Sequence, residues 1–275
     1  MNCILASVYL DGIGSATIYF FHPAIEGAFV QQGHDHLHGN RAGGPSVRLV
    51  RFMDVELELA PDVLVPREET ELLGRRAAAI LRDHAGQAAI IDMCCGSGNL
   101  ALGIAAEIPS ARVWGADLTD STVALARRNV ERLALEERVV IRQGDLFAAL
   151  KGEGLEGAVD LIVCNPPYIS TSRLESDSAH LLATEPREAF DGGPYGISIH
   201  QRLVRDAIAF LKPGGWLLFE FGEGQERQAA ALLARTKGYG AVTFATDAAG
   251  KPRVALVQKL AGESPSTHSK DAAGE

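Results

Sequence analysis

The stretch Ala88-Ala89-Ile90-Ile91-Asp92-Met93-Cys94-Cys95-Gly96-Ser97-Gly98-Asn99-Leu100 carries the strongest fold signal in this 275-residue chain. Its first half is a short apolar run, typical of a strand that is buried on both faces of a parallel sheet. Two glycines follow at a spacing that allows a tight turn, and an apolar helical pattern begins at Leu100. A strand, a glycine turn and a helix in this order predict the first part of a βαβ unit.

The same alternation continues towards the C-terminus. Short apolar runs predict strands at Ala88–Met93, Ala111–Ala116, Arg138–Gln143, Val159–Cys164 and Gly215–Phe221. Helical patterns lie at Leu100–Glu107, Ser121–Leu133, Gly196–Leu211 and Gln225–Thr236. Two further runs, Val242–Thr246 and Arg253–Lys259, predict a closing antiparallel hairpin. We therefore expect an α/β fold with a doubly wound, mostly parallel, seven-stranded, Rossmann-like sheet that ends in this antiparallel hairpin.

Four segments are predicted along the chain. Residues 1–46 form a β-prone N-terminal segment with a His/Gly-rich loop, and residues 47–84 hold a hairpin at Val47–Leu59 and an entry helix at Glu68–His84. Residues 85–260 form the sheet domain, and residues 261–275 form a polar tail that we expect to be disordered. Alternating histidines in a glycine-flanked loop make poor ligand geometry, so we expect no metal site. The β-prone segment suggests a possible homodimer through edge pairing.

Bulk composition excludes several classes of protein. The net charge is −9 and no cluster of Lys and Arg is present, which argues against a nucleic-acid partner. Four cysteines occur without C-x-x-C spacing, so we expect reduced thiols and a cytoplasmic protein rather than zinc or a disulfide framework. The apolar N-terminus has no basic residue before Arg41, which argues against a secretory signal, and its apolar runs are too short to span a membrane.

The candidate cofactor residues follow three neighbouring strands. The first turn contributes Asp92, Cys94, Gly96 and Gly98; the second strand end contributes Asp117 and Leu118; the third contributes Asp145 and Leu146. Open α/β sheets bind ligands at the carboxyl ends of their strands, and an acidic residue after the second strand suits ribose hydroxyls. The glycine turn also satisfies a loose G-x-G-x-x-A pattern, so a nicotinamide dinucleotide remains an alternative at this point.

The fourth strand end carries Asn165-Pro166-Pro167-Tyr168, which we predict to be the catalytic segment. Two prolines stiffen the loop and remove two backbone donors, so the Asn165 side-chain oxygen and the Pro166 carbonyl can each accept an N–H from a planar nitrogen. Tyr168 can cover the plane of that group. Such a site suits methyl transfer better than hydride transfer, and S-adenosylmethionine fits all four strand ends. Asp92 and the glycines would face its methionine part, Asp117 the ribose and Asp145 the adenine.

Several motifs together resemble the HemK/PrmC-type glutamine-amide methyltransferases of the class I S-adenosylmethionine-dependent fold. The resemblance covers roughly Phe52 to Lys259 and lies in Val65–Glu71, the Asp92 glycine turn, Asn165–Ile169, Glu185–Gly193 and Lys212–Gln225. It implies that Thr70 lies near the cofactor carboxylate and that Asn165 and Pro166 hold the acceptor amide. The chain departs from the family in two ways: Glu68 replaces a proline, and the short N-terminal segment replaces the helical bundle that grips a protein substrate.

The leading expectation is therefore an S-adenosylmethionine-dependent N-methyltransferase. Its acceptor would be a planar side-chain nitrogen of an amino acid, an amide or a guanidine, in a small molecule or a peptide. The missing bundle favours a small acceptor, and the alternative is a glutamine of a peptide release factor. A nucleic-acid base methyltransferase would need a basic channel and stacking aromatics, which the sequence lacks. A cofactor-binding module without catalysis would require that the Asn165 loop or the glycine turn be damaged, and both motifs are intact.

Overall fold

The structure, a computed structural model, describes residues 6–10, 16–20, 47–183 and 185–261. The chain divides into two compact units, Met1–Pro45 and Ser46–Glu275. In the first unit, strand β1 (Ala6–Leu10) pairs antiparallel with β2 (Ala16–Phe20), within sequence predicted to be β-prone. The predicted His-rich loop and all but the first residue of the predicted disordered tail lie outside the described residues.

The second unit begins with a small hairpin and a helix. Strand β3 (Leu49–Phe52) pairs antiparallel with β4 (Val55–Glu58), as the alternation of Val47–Leu59 predicts. A 3-10 turn at Glu68–Thr70 leads directly into helix α1 (Glu71–Leu81). The predicted helix is therefore correct in place, but its first residues form the tighter turn that is common at helix ends.

The main sheet has seven strands in the order β10-β11-β9-β8-β5-β6-β7. The strands are β5 (Ala88–Met93), β6 (Ala111–Asp117), β7 (Val139–Gln143), β8 (Val159–Cys164), β9 (Leu211–Glu220), β10 (Thr243–Thr246) and β11 (Pro252–Gln258). Neighbours from β9 through β8, β5 and β6 to β7 pair in parallel, whereas β11 pairs antiparallel with β9 and β10. The predicted fold class is confirmed.

Helices cover both faces of the sheet, which makes it doubly wound. They are α2 (Asn99–Glu107), α3 (Asp120–Arg132), α4 (Thr171–Glu175), α5 (Ser198–Phe210) and α6 (Glu226–Arg235). Buried side chains of α1, α2 and α3 share one apolar core, and those of α5 and α6 share the other. Strand β8 lies between the two cores, and all six of its residues are buried, as a continuous apolar run predicts.

Two differences from the predicted elements have a local cause. Strand β9 begins at Leu211 rather than Gly215, because Gly214 and Gly215 bond across to Lys259 instead of forming a free turn. A Cβ on Gly215 would lie 2.8 Å from the Val159 carbonyl oxygen, so only glycine allows this close pairing. Between Ser170 and Ser198 the chain forms α4 and two 3-10 turns that were not predicted, since short turns have no apolar period to detect.

In the part of the chain that the structure describes, every helix is too short or too polar to span a lipid bilayer.

Candidate active site

A cavity of about 680 Å³ opens at the carboxyl ends of β5, β6, β7 and β8. This is the topological switch point of the sheet, because β5 has β6 on one side and β8 on the other. The volume lies in the range of small-molecule and cofactor sites. The cavity brings together residues from all four predicted strand ends: Cys94, Gly96, Asp117, Leu118, Asp145, Leu146 and Asn165.

The glycine turn after β5 wraps around the end of β6. Gly96 has φ 54° and Gly98 has φ 82°, both in the left-handed region that glycine adopts without strain. The Gly96 N–H donates to Asp117 Oδ2 at 2.8 Å, which ties the turn to the neighbouring strand. Gly96 lies on the cavity surface, whereas Gly98 caps α2 behind it and stands outside the lining.

Asp92 lies beneath this turn and not on the cavity wall. Its side chain is fully buried, and Oδ2 accepts the Ala101 N–H at 2.9 Å near the start of α2. Oδ1 is buried without a hydrogen-bond partner. Burial raises the pKa of Asp92 to about 8, and the negative charge of Asp117 adds to the shift. Asp92 therefore supports the turn from behind, whereas the direct contact predicted for it with the methionine part of the cofactor would need it at the cavity surface.

Asp117 has both of its carboxylate oxygens engaged. In addition to the Gly96 bond, Oδ1 accepts the Leu118 N–H and the Thr122 hydroxyl, each at 2.8 Å. A carboxylate has about four acceptor positions, so roughly one remains for a ligand hydroxyl. Asp117 therefore holds the turn and α3 together while still facing the cavity, a double role that its sequence position did not indicate.

The far end of the cavity is apolar with one acidic group. Leu118 is 58 % exposed although it is a large aliphatic residue, and it faces the cavity together with Leu146 and Ile199. Asp145 also lines this end, and its Oδ2 accepts from Arg202 at 2.8 Å. An apolar surface beside a carboxylate is suited to an adenine ring and its amino group. Ile199 was missed by sequence reasoning because it belongs to α5, far along the chain.

Asn165 marks the opposite end of the cavity. Its Nδ2 donates to the Thr70 hydroxyl oxygen at 3.0 Å, which leaves Oδ1 free to accept from a ligand. Thr70 itself is buried and does not line the cavity. Pro167 lines the cavity, whereas Pro166 is buried behind it. The resemblance implies that Thr70 lies near the cofactor carboxylate; the structure places it behind Asn165 as a support.

Tyr168 points away from the cavity. Its hydroxyl donates to Glu220 Oε1 at 3.1 Å, and burial raises its pKa. The backbone carbonyl of Tyr168 accepts from Gln225 Nε2 at 3.0 Å, while Gln225 Oε1 accepts the Gly222 N–H at 2.8 Å. The tyrosine therefore anchors the proline loop to the end of β9, and its ring is not part of the cavity lining predicted for it.

One wall of the cavity was missed as a site feature. It consists of the segment Pro186–Ala189 with Asp191, which faces the cavity beside Asp62 and Leu64. Glu185 holds the two segments together, since its carboxylate accepts the Val65 N–H at 2.9 Å and pairs with Arg67. The motif resemblance includes Val65–Glu71 and Glu185–Gly193, but only the contact between these two segments shows that they close one side of the site.

The donor set agrees with S-adenosylmethionine. An apolar surface with Asp145 suits the adenine, and Asp117 with its remaining acceptor position suits the ribose. The free Asn165 oxygen lies at the end where the acceptor would meet the transferable methyl group.

Comparison with known proteins finds a matching domain family and relatives that are matched over about two thirds or more of their own length. Residues 76–194 match the family model described as the methyltransferase small domain. A release factor glutamine methyltransferase from Geobacter sulfurreducens is 37% identical over 203 residues, which are 74% of this chain and 68% of that protein. One of the same name from Moorella thermoacetica is 37% identical over 209 residues, covering 76% and 71%.

Among solved structures, a methyltransferase from Pyrococcus furiosus has the same fold. It superposes with a TM-score of 0.51 at 20% sequence identity and covers 74% of this chain and 87% of its own.

Proposed function

The chain belongs to the release factor glutamine methyltransferase (HemK/PrmC) family and is therefore an S-adenosylmethionine-dependent N-methyltransferase; on this basis we propose that it methylates a glutamine side-chain nitrogen of a peptide release factor. The family resemblance and the cofactor predicted from the motifs are confirmed, and the nicotinamide alternative for the glycine turn is set aside. The names of the relatives support the release-factor acceptor better than the small-molecule acceptor that the sequence favoured.

The observation that carries this proposal is the orientation of the Asn165 carboxamide. Because Nδ2 is engaged by Thr70, Oδ1 is the atom that remains for an incoming N–H. An amide NH2 has two such hydrogens and a weakly nucleophilic, delocalised lone pair. Within the described residues no hydrogen-bond donor is bonded to the Pro166 carbonyl, which supports its assignment as the second acceptor.

Catalysis in this proposal is a matter of positioning. The bound cofactor supplies an electrophilic methyl group on a sulfonium. Asn165 and Pro166 would accept the two N–H groups of the acceptor amide and so orient its nitrogen towards the bound cofactor. Holding two reactants in such geometry can contribute about 7–11 kcal/mol in the best models. The nitrogen proton leaves to solvent after transfer, so the residues of the site need not include a strong base.

The remaining site residues divide between cofactor and loop. We assign Cys94, Gly96, Asp117, Leu118, Asp145 and Leu146 to direct contact with the cofactor, on the support that each lines the cavity. We assign Asp92, Gly98 and Thr70 to holding those groups from behind, and Tyr168 to anchoring the loop.

The test is a competition between acceptors. Purified protein is incubated with methyl-labelled S-adenosylmethionine and, in parallel, with a bacterial peptide release factor, free glutamine and free arginine. We expect label on one glutamine of the release factor, located by peptide mass spectrometry. Label on free glutamine or arginine alone would overturn the proposal in favour of a small acceptor.

Asn165→Ala is the matched variant for this assay. We expect it to bind S-adenosylhomocysteine with nearly unchanged affinity in calorimetry and to lose turnover by about 100-fold or more, since it removes an oriented acceptor at the reacting group. Retained turnover in this variant would show that Asn165 does not hold the acceptor.

A further inference from the structure

A buried polar cluster lies behind the Asn165 loop, on the side away from the cavity. Its members are Thr70 at the end of the 3-10 turn, Glu220 at the end of β9, and Tyr168 in the proline loop. Thr70 and Glu220 are each 1 % exposed. Carboxylates are rarely buried to this degree unless they are paired, so the role of Glu220 requires an explanation that the proposed chemistry does not supply.

Hydrogen-bond accounting links Glu220 to Asn165. The Thr70 oxygen accepts from Asn165 Nδ2, so the hydroxyl proton of Thr70 must be directed to another acceptor. Tyr168 donates to Glu220 Oε1, whereas Oε2 of the same carboxyl group is buried without a partner. Within the described residues the Thr70 hydroxyl donates no hydrogen bond, and its proximity to Glu220 lowers the pKa of that carboxyl group. Oε2 is therefore the available acceptor for the Thr70 proton.

We propose that Glu220 is a positioning residue whose carboxylate accepts the hydroxyl protons of Thr70 and Tyr168 and thereby fixes the Asn165 carboxamide with its nitrogen inward and its oxygen towards the cavity. The inference rests on the proposed amide-holding role of Asn165. Glu220 contacts neither cofactor nor acceptor and acts through the two hydroxyls.

The direction of the Thr70 hydroxyl depends on the charge of Glu220. An ionised carboxylate only accepts, so both hydroxyls donate to it and the Thr70 oxygen keeps a lone pair for Asn165. A protonated carboxyl group can donate to the Thr70 oxygen and compete with the Asn165 N–H. The Asn165 oxygen should therefore face the cavity more consistently when Glu220 has lost its proton.

Several groups face Glu220 from the neighbouring elements. Burial raises its pKa to about 7, and Glu69 also raises it, while Thr70, Tyr168 and Arg253 lower it. His200 bonds to the Glu220 backbone carbonyl, and burial lowers the pKa of that histidine to about 4. His200 is therefore neutral through the range in which Glu220 titrates, and Glu220 is the group expected to change charge near neutral pH.

The kinetic test uses Glu220→Gln in the full-length chain, with Glu223→Gln as the matched control at an exposed position three residues further on. In the glutamine an NH2 donor replaces one of the two accepting oxygens of the carboxylate, so a hydroxyl that donates to that oxygen loses its acceptor. We expect kcat for the release factor to fall about 10- to 100-fold, with both KM values and the affinity for S-adenosylhomocysteine nearly unchanged. In a Thr70→Val background the same Glu220 substitution should have little further effect.

The wild-type kcat should rise with pH through about 7, and this rise should be absent in Glu220→Gln. An unchanged kcat in the variant would overturn the proposal. A parallel loss of kcat and of cofactor-product affinity would also overturn it, since that pattern indicates a general loss of structure.

A second measurement does not depend on activity. In 15N-labelled protein the Asn165 side-chain NH2 resonances, assigned from their loss in Asn165→Ala, should titrate with a midpoint near 7 in the wild type and not in Glu220→Gln. If the wild-type protein fails to methylate a release factor while this titration is present, the acceptor assignment is wrong and the positioning role stands. Absence of the titration from the wild type would overturn the role of Glu220.

Discussion

Asn165 obtains its orientation from a residue far away in sequence. Thr70 is 95 positions earlier in the chain, yet its hydroxyl decides which side of the carboxamide faces the cavity. Asp117 is a similar case, because the carboxylate that faces the ligand also holds the glycine turn through Gly96. At the scale of single residues the site is therefore a set of side chains that are each held from behind by a polar partner.

Gly98 allows a direct test of backbone conformation in the cofactor turn. Its φ is 82°, and a Cβ would lie 3.2 Å from Leu102 Cδ1. We expect Gly98→Ala to lower the free energy of unfolding by about 1–2 kcal/mol and to weaken binding of S-adenosylhomocysteine. Gly152 is the matched control, since it has φ 88° and no neighbouring atom within 4 Å of the position that a Cβ would take. Gly152→Ala should lose stability while binding normally; equal binding losses in both would contradict a local effect of the turn.

The buried carboxyl group of Asp92 predicts a pH dependence of stability. Its folded-state pKa of about 8 lies above the ordinary value of 3.8, so the folded protein holds this proton more tightly than the unfolded chain. The contribution to stability is complete below about pH 3.8 and is lost as the pH rises to about 8. Asparagine does not titrate at this position. The unfolding free energy of Asp92→Asn minus that of the wild type should therefore increase as the pH rises from about 3.8 to about 8. Urea unfolding at several pH values measures this; a constant difference would contradict it.

The elements around the cavity differ in how they are held. The turns after β5, β6 and β7 are held by main-chain pairing and by Asp117. The segment Pro186–Asp191 pairs through its main chain with Ile169, and Glu185 links it to Val65 and Arg67. That carboxylate bridges 120 residues of sequence to Val65 and is only 8 % exposed. Glu185 is therefore the side chain that joins this wall to the Val65–Arg67 segment on the other side of the cavity edge.

Glu185→Ala should loosen this wall. Removing a buried acceptor and ion-pair partner costs about 1–3 kcal/mol, so we expect lower stability, faster limited proteolysis near Pro186 and a higher KM for the protein acceptor. Glu223→Ala removes an exposed partner of Lys251 outside this wall and is the matched control, for which a loss of at most about 1 kcal/mol is expected. Equal effects of the two substitutions would show that the bridge does not hold the wall.

The whole second unit is organised around the order of its strands. Because the chain crosses from β7 back to β8 beside β5, the four loops that carry Cys94, Asp117, Asp145 and Asn165 meet at one edge. Two apolar cores, one on each face, hold this edge in place. A cofactor and an acceptor can thus meet at the point where the sheet changes direction.

Removal of residues 1–45 tests the division of the chain into two units. Because Ser46–Glu275 is a compact unit with its own cores, the shortened protein should unfold cooperatively and bind S-adenosylhomocysteine as the full chain does. Size-exclusion chromatography of both forms also tests the predicted homodimer. If residues 1–45 mediate dimerisation, the full chain should elute as a dimer and the shortened protein as a monomer. Loss of cofactor-product binding on truncation would show that the first unit supports the site.

The amino-acid sequence was enough to predict the fold class, the order in which the chemical groups follow the strands, and the four strand ends that meet at the cavity. These are local properties, because the hydrophobic period, the spacing of the glycines and the apolar runs can each be read from consecutive residues. The family could be predicted for the same reason, since its motifs are local as well.

The directions in which the key side chains point became visible only in the folded chain. Tyr168 faces Glu220 rather than the acceptor, Asp92 lies beneath the glycine turn, and Glu185 closes a wall against Val65. Each of these outcomes depends on a contact between residues whose separation in the chain carries no signal, such as the 52 positions between Tyr168 and Glu220. Burial and hydrogen bonding act in space, so they become readable only once distant segments have come together.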